Sequence, residues 1–446
     1  MRRTIKDLCE FIWYLENKYD LIDLEIDGVK IWQYLRIEIY YLMAKELGVL
    51  EQRNISQQSK GVLFKSSLIL LKNLFVANPF LTINKKREVL IFSHSRSQKN
   101  DDNFEDIYTQ SLIRNLDDSK QSYLCFEKPS RGKHVRRRNS HTRYLDFILS
   151  ASILYGKLYR VKDQGGFEVI HRVEKEIMNT TANSIDLISL FKHNIGRFRL
   201  ANKLYLILFR KIKPKVIYSV SSYSYLGDMI SAAKSLGIKT IELQHGVISK
   251  YHMGYSFLKK IDLEYYSDVF YSWGSFWNKS VDNAFEEIEV NGFQYFQDTS
   301  KKYQDVEKEN KILILSQAAL GGKIMNETLK FINTFSNFKI LYKLHPSEYN
   351  MYKEYSSYSM LSSYENITFL EDCNLYQLMS VSKIQIGVFS TAIYEGLGFS
   401  CKTYLFDLNG IEYMQDLIDS EYATVLSVGI DISLKESKKN SVNNFF

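Results

Sequence analysis

Residues 383–398, KIQIGVFSTAIYEGLG, decide the reading of this chain. Lys383 to Val388 reads as a short buried strand, and Ala392 to Leu397 as the helix that follows it. Ser390 and Thr391 lie between them, at the carboxyl end of the strand. Open parallel α/β sheets are built from such units and hold their ligands at the carboxyl ends of their strands. The free N–H groups and positive dipole end of the helix make an anion site, and the two hydroxyls add donors. Plain N-capping would account for the same residues. Glu395, one turn after Thr391, faces the same way. It could accept hydrogen bonds from ribose hydroxyls or simply face water. Gly396 and Gly398 allow close helix packing.

The same arrangement recurs upstream. Ile241-Glu242-Leu243-Gln244-His245-Gly246 ends a strand over 239–243, and Gly246 permits a sharp turn that leaves His245 toward a cleft. There it suits acid/base work or phosphate binding, with a buried structural histidine as the alternative. Gln244 and Gly246 fall on the acceptor side, together with His94, which closes a first strand beginning at Val89. In Leu341-Tyr342-Lys343-Leu344-His345-Pro346, Pro346 cannot extend a parallel ladder, so the strand stops and His345 sits at the rim. It can donate to a phosphate oxygen or serve as a cap. Gly321, Gly322 and Lys323 could bring N–H groups and an ammonium to a diphosphate, but they lack the spacing of a phosphate-loop NTPase. Asp101 and Asp102, in an acidic loop with Asp106, are candidates for a base near an acceptor hydroxyl, and a solvated loop is the plainer reading. There is no HExxH or DxD pattern. A metal-independent site without a cofactor is therefore expected, with helix dipole and basic side chains replacing a cation.

Around these motifs strands and helices alternate twice, which predicts two Rossmann-like α/β domains facing across a cleft. The expected boundaries are a helical N-terminal extension over 1–85, an acceptor domain over 86–298, a nucleotide-donor domain over 299–430 and a polar, frayed tail over 431–446. Residues 276–288 read as a helix, and the basic run 131–143, RGKHVRRRNSHTR, as an exposed loop.

The 446 residues exceed one typical core. With 45% hydrophobic and 24% charged residues, the composition is that of a globular protein. The 32 Tyr and 27 Phe, beside only 4 Pro, read as the coding bias of an AT-rich genome. A net charge of +7 without a nucleic-acid motif gives no reason to expect a nucleic-acid partner. The 4 cysteines are scattered and form no CxxC pair, which fits a reducing compartment. The start runs straight into charged residues, so no secretory signal is expected and the chain reads as cytoplasmic. No apolar stretch is long enough to span a bilayer. Peripheral attachment to the inner face of an anionic membrane is an option. It would use Arg131, Lys133, Arg136, Arg137, Arg138 and Arg143 with the apolar segment 61–75. A solvated basic loop and a packed helix are the plainer readings.

Taken in order, LQHG, Trp273-Gly274, KLHP and FSTAIYEGLGF resemble bacterial surface-polysaccharide glycosyltransferases of the GT-B fold. These include polysialyltransferases, capsule Kdo transferases and CDP-glycerol glycerophosphotransferases. The resemblance covers roughly residues 87–425 and leaves the first 85 without a counterpart. It implies that His345 contacts the donor phosphate, that Ser390 and Thr391 bind phosphate, and that Glu395 approaches the ribose. It also implies that His245 acts in catalysis or on acceptor phosphate. The acidic base motif of polysialyltransferases is missing, since Gly follows neither Asp101 nor Asp102. The implied activity is transfer of a sugar from a nucleotide donor, CMP- or CDP-linked, to a polysaccharide or lipid-linked glycan of capsule or lipopolysaccharide. A nucleotide-sugar epimerase and a non-catalytic assembly protein are the rivals.

Overall fold

The computed structural model describes residues 4–49, 74–82, 85–94, 97–100, 103–129, 133–134, 136, 138–162, 165–224, 226–317, 320–430, 432 and 444–446. The segment 61–75 lies outside them apart from Leu74 and Phe75.

The strands are β1 Val89–Phe92, β2 Ser97–Asn100, β3 Asn103–Asp106, β4 Tyr123–Glu127, β5 Thr142–Tyr144, β6 Val216–Val220, β7 Lys239–Leu243, β8 Val269–Ser272 and β9 Glu287–Val290. In the second half they are β10 Glu309–Leu315, β11 Lys339–Lys343, β12 Ile367–Leu370, β13 Ser382–Gly387, β14 Lys402–Leu405 and β15 Ala423–Val425. Seven form one sheet in the order β5-β4-β1-β6-β7-β8-β9, and six form another in the order β12-β11-β10-β13-β14-β15. Every pairing within these two sheets is parallel. β2 and β3 form a separate antiparallel hairpin. Both sheets start at a central strand, grow one way and then reverse, the doubly wound order of a Rossmann domain. β1 is apolar and buried throughout, and β10 and β13 are buried over 312–315 and 384–387, because helices cover both faces.

Three expectations are corrected. Residues 276–288 do not form one helix: a 3₁₀ segment over Ser275–Ser280 is followed by the edge strand β9. The basic run is not simply an exposed loop. It feeds β5, and Arg136 is only 14% exposed, in ion pairs with Asp106 and Glu127. The chain is not frayed at its last residues: Phe445 and Phe446 are buried, and the Phe445 carbonyl accepts the Trp277 indole N–H at 2.8 Å.

The N-terminal helices Ile5–Tyr19 and Ile31–Glu46 share a core with the first sheet. The first opens with a capping box between Thr4 and Asp7. On the second, Arg36 is buried and grips Glu16 of the first through Nε–Oε1 at 2.7 Å and Nη2–Oε2 at 3.0 Å. Its Nη1 donates to the carbonyl of Met253, in the connection between β7 and β8. The N-terminal helices thus buttress the loop that follows His245. The same core continues into the second half through Trp277, Tyr394 and Leu405.

Candidate active site

In the first sheet the strand order reverses between β1 and β6, and the ends of these strands flank a crevice. His94 follows β1. Ser221 follows β6 with φ at 59°, a left-handed conformation that non-glycine residues seldom adopt. His245 follows the adjacent β7. The rings of His94 and His245 lie 5.8 Å apart, with Tyr108 at 5.5 Å from the first and 6.4 Å from the second. Buried Asp106 shapes this end of the crevice by accepting the backbone N–H groups of His94 and Tyr108, each at 2.9 Å. Arg136 Nη1 balances its charge at 3.2 Å.

His245 is held between two phenols, with Tyr255 OH 3.4 Å from Nδ1 and Tyr223 OH 3.3 Å from Nε2. Gln244 is buried, and its amide is engaged within the turn. Its Oε1 accepts the Trp273 N–H at 2.8 Å, and its Nε2 donates to the Gly246 carbonyl at 3.0 Å. Gln244 therefore fastens the loop that presents His245.

In the second sheet the order reverses between β10 and β13. Gln317, just after β10, clasps the backbone of Phe389 through both ends of its amide. That fixes the approach to the helix Thr391–Gly398, whose N-cap is Ser390, with Oγ accepting the Ala392 N–H at 3.1 Å. N-capping is thus one role of Ser390. A Cβ added to Gly246 would lie 3.5 Å from Thr391 Oγ1. The turn carrying His245 and the helix start carrying Thr391 therefore meet, one from each sheet.

His345 and Pro346 are exposed after β11. The Ser347 backbone N–H donates to His345 Nδ1 at 3.2 Å, and because an amide can only donate, the neutral ring carries its hydrogen on Nε2. Buried Glu348 anchors this loop by accepting the His345 N–H at 2.8 Å and Ser316 Oγ at 3.0 Å. Burial pushes its carboxyl above the usual range, against these hydrogen bonds. Gly321 and Gly322 open the helix Gly321–Lys330, followed by Lys323. A Cβ on Gly321 would press on the Glu348 carboxylate and the Tyr355 hydroxyl, so this helix start lies directly against the His345 loop. Glu395 is buried and accepts Tyr376 OH at 3.2 Å. Gly396 and Gly398 press against Gln385 and Phe296.

Asp101 and Asp102 lie outside the described residues, between β2 and β3. Among the described residues no group of three or more His, Cys, Asp or Glu is placed to hold a metal ion. Sequence reasoning missed Tyr223, Tyr255, Gln317, Glu348 and the role of Glu242. A signal existed for two of them. Glu242 is a carboxylate inside an apolar strand, and Glu348 stands three residues after His345 in a capping-like spacing.

No protein-family model matches the chain, and no curated protein matches it. Among solved structures, UDP-GlcNAc 2-epimerase of Methanocaldococcus jannaschii aligns over 81% of this chain and 96% of its own, with 12% identity and a TM-score of 0.47. MurG of Acinetobacter baumannii aligns over 76% and 86%, with 11% identity and a TM-score of 0.41. UGT2 of Phytolacca americana aligns over 79% and 88%, with 8% identity and a TM-score of 0.42. At these scores nothing about substrate or chemistry carries over. The chain's own topology shows two Rossmann-like α/β domains, each built on a parallel sheet.

Proposed function

We propose that this protein is a metal-independent glycosyltransferase. It moves a sugar from a nucleotide donor, CMP- or CDP-linked, to a polysaccharide or lipid-linked acceptor of capsule or lipopolysaccharide. The observation that carries the reading is the meeting of the His245 turn with the Ser390–Thr391 helix start. A phosphate seated at that helix N-terminus, with His345 as a further donor from the rim of the same sheet, would place a scissile sugar–phosphate bond beside His245. The acceptor hydroxyl attacks the anomeric carbon, its proton passes to His245, and the bond to the phosphate oxygen breaks with its electron pair leaving on the nucleotide. Enclosure between two domains would limit hydrolysis.

The test is a thermal-shift screen of the purified chain with CMP, CDP, UDP, GDP and ADP, beside His345→Ala. Stabilisation by one nucleotide that the variant loses is the expected result. No stabilisation by any of them would overturn the donor-site assignment. Turnover of a nucleotide sugar without acceptor would replace transferase by epimerase.

Work at the inner face of the cytoplasmic membrane is part of the same reading. Among the described residues no helix is long and apolar enough to cross a membrane. The helix Asp146–Leu158 nevertheless leaves Leu154 61% and Leu158 73% exposed, one turn apart, next to exposed Lys157. Such a face suits contact with anionic lipid. Arg136, committed to buried carboxylates, is removed from the basic patch expected to assist it.

A further inference from the structure

Behind His245 lies a chain of hydroxyls that ends on a carboxylate. Glu242 in β7 is fully buried. Its Oε1 accepts Tyr255 OH at 2.5 Å and the Ser222 N–H at 3.2 Å, and its Oε2 accepts the Ser222 hydroxyl. Among the described residues no lysine or arginine forms an ion pair with it. A carboxylate buried without a cation is expensive to keep, and hydrogen bonds from hydroxyls and one amide offset only part of that cost.

The donor directions follow from the chemistry of each group. Tyr255 has one hydrogen and gives it to Glu242, so its oxygen faces His245 Nδ1 as an acceptor. Nδ1 must then carry the ring hydrogen, which makes Nε2 the acceptor nitrogen of the neutral ring. On that side Tyr223 OH lies 3.3 Å from Nε2 and 3.5 Å from His252 Nε2. His252 is held neutral by burial, its pKa pushed down to about 4. As a neutral ring with hydrogen on Nε2 it can donate to the Tyr223 oxygen, freeing the Tyr223 hydrogen for His245.

We propose that Glu242, acting through Tyr255, is a positioning residue that fixes His245 as the Nδ1–H tautomer and so presents Nε2 as the proton acceptor. This supplies a base where the sequence lacks the acidic motif of its look-alikes. Its part in catalysis rests on the transferase reading; the tautomer does not. In the reaction the acceptor hydroxyl would take the place of Tyr223 at Nε2. The proton moves onto Nε2, and the imidazolium is stabilised through Tyr255 by the Glu242 carboxylate.

The test is nitrogen-15 spectroscopy of the full chain labelled at histidine, recorded near pH 8 so that Glu242 is ionised. The His245 signals are assigned by their loss in His245→Gln. The expected result is a protonated Nδ1 and a bare Nε2, with Tyr255→Phe and Glu242→Gln each moving the ring toward the opposite tautomer. A wild-type ring protonated at Nε2 overturns the proposal without recourse to any variant. An unchanged tautomer in both variants, folded by circular dichroism, also overturns it. With the donor found by the nucleotide screen, both variants should lose at least about tenfold in kcat while nucleotide affinity stays within about twofold. Unchanged kcat refutes the catalytic part. A wild-type chain that shows the Nδ1–H tautomer but transfers no sugar defeats the transferase reading and leaves the relay standing.

Discussion

Replacing Arg36 by Met isolates what the N-terminal helices contribute. Arg36 is 1% exposed and Glu16 8% exposed, so the substitution strands a buried carboxylate. It also removes the donor to the Met253 carbonyl and a guanidinium lying 4.0 Å from the Phe257 ring. Breaking a buried pair from one side costs about 3–5 kcal/mol. For a cooperative unit the size of the first domain, 1 kcal/mol lowers Tm by about 2–4 °C, so a fall of roughly 6–20 °C is expected. Glu16→Gln/Arg36→Met removes both charges while keeping a carbonyl to accept the Trp32 indole N–H, which now meets Glu16 Oε1 at 2.9 Å. The double variant should therefore recover more than half of the loss. Calorimetry with urea titrations of wild type, both single variants and the double variant completes the cycle. If Arg36→Met melts within about 2 °C of wild type, or the double variant is worse than either single, the pair is not the clamp described here.

Two other outcomes follow from the same structure. Burial pushes the Glu242 carboxyl up to about 7 from 4.5, against hydrogen bonds from Ser222 and Tyr255. A raised carboxyl stabilises fully below its unfolded pKa and loses that contribution as pH rises through the folded one. Relative to Glu242→Gln, wild type should lose roughly 3 kcal/mol between about pH 4.5 and 8 by urea unfolding, and a flat or opposite difference refutes this. Leu154→Ser/Leu158→Ser should weaken cosedimentation with phosphatidylglycerol vesicles by at least about tenfold, since each leucine buries roughly 1.5–3 kcal/mol of apolar surface; equal binding removes the membrane reading.

The buried parallel strands were legible because they hold runs of apolar residues, as in Val89 to Phe92 or Ile312 to Leu315, closed by a polar turn. The edge strands β5 and β9 were not. β5 has Arg143 at its centre, and β9 reads Glu-Ile-Glu-Val, so neither carries an apolar signature. His94, His245 and Thr391 were legible as strand-end residues, since topology alone delivers such positions to a crevice. Their supports were not. Tyr223, Tyr255 and Gln317 matter through contacts made across the fold, and local sequence holds no record of those. Phe445 and Phe446 follow a polar stretch, and it takes partners distant in sequence, Trp277, Phe296 and Tyr394 among them, to make their docking understandable.

That docking gives the molecule a built-in optical reporter. All four tryptophans are buried. Trp13 and Trp32 sit in the N-terminal helices, remote in sequence from the site. Trp273 stacks on Phe293 at 4.4 Å, while Trp277 lies 4.5 Å from Tyr394, a residue of the helix that begins at Thr391. Any sliding of one half against the other changes the polarity and quenching around Trp277 first. Intrinsic emission should therefore follow the relative motion of the two halves in real time, against a steady background from the other end of the chain and without an added label.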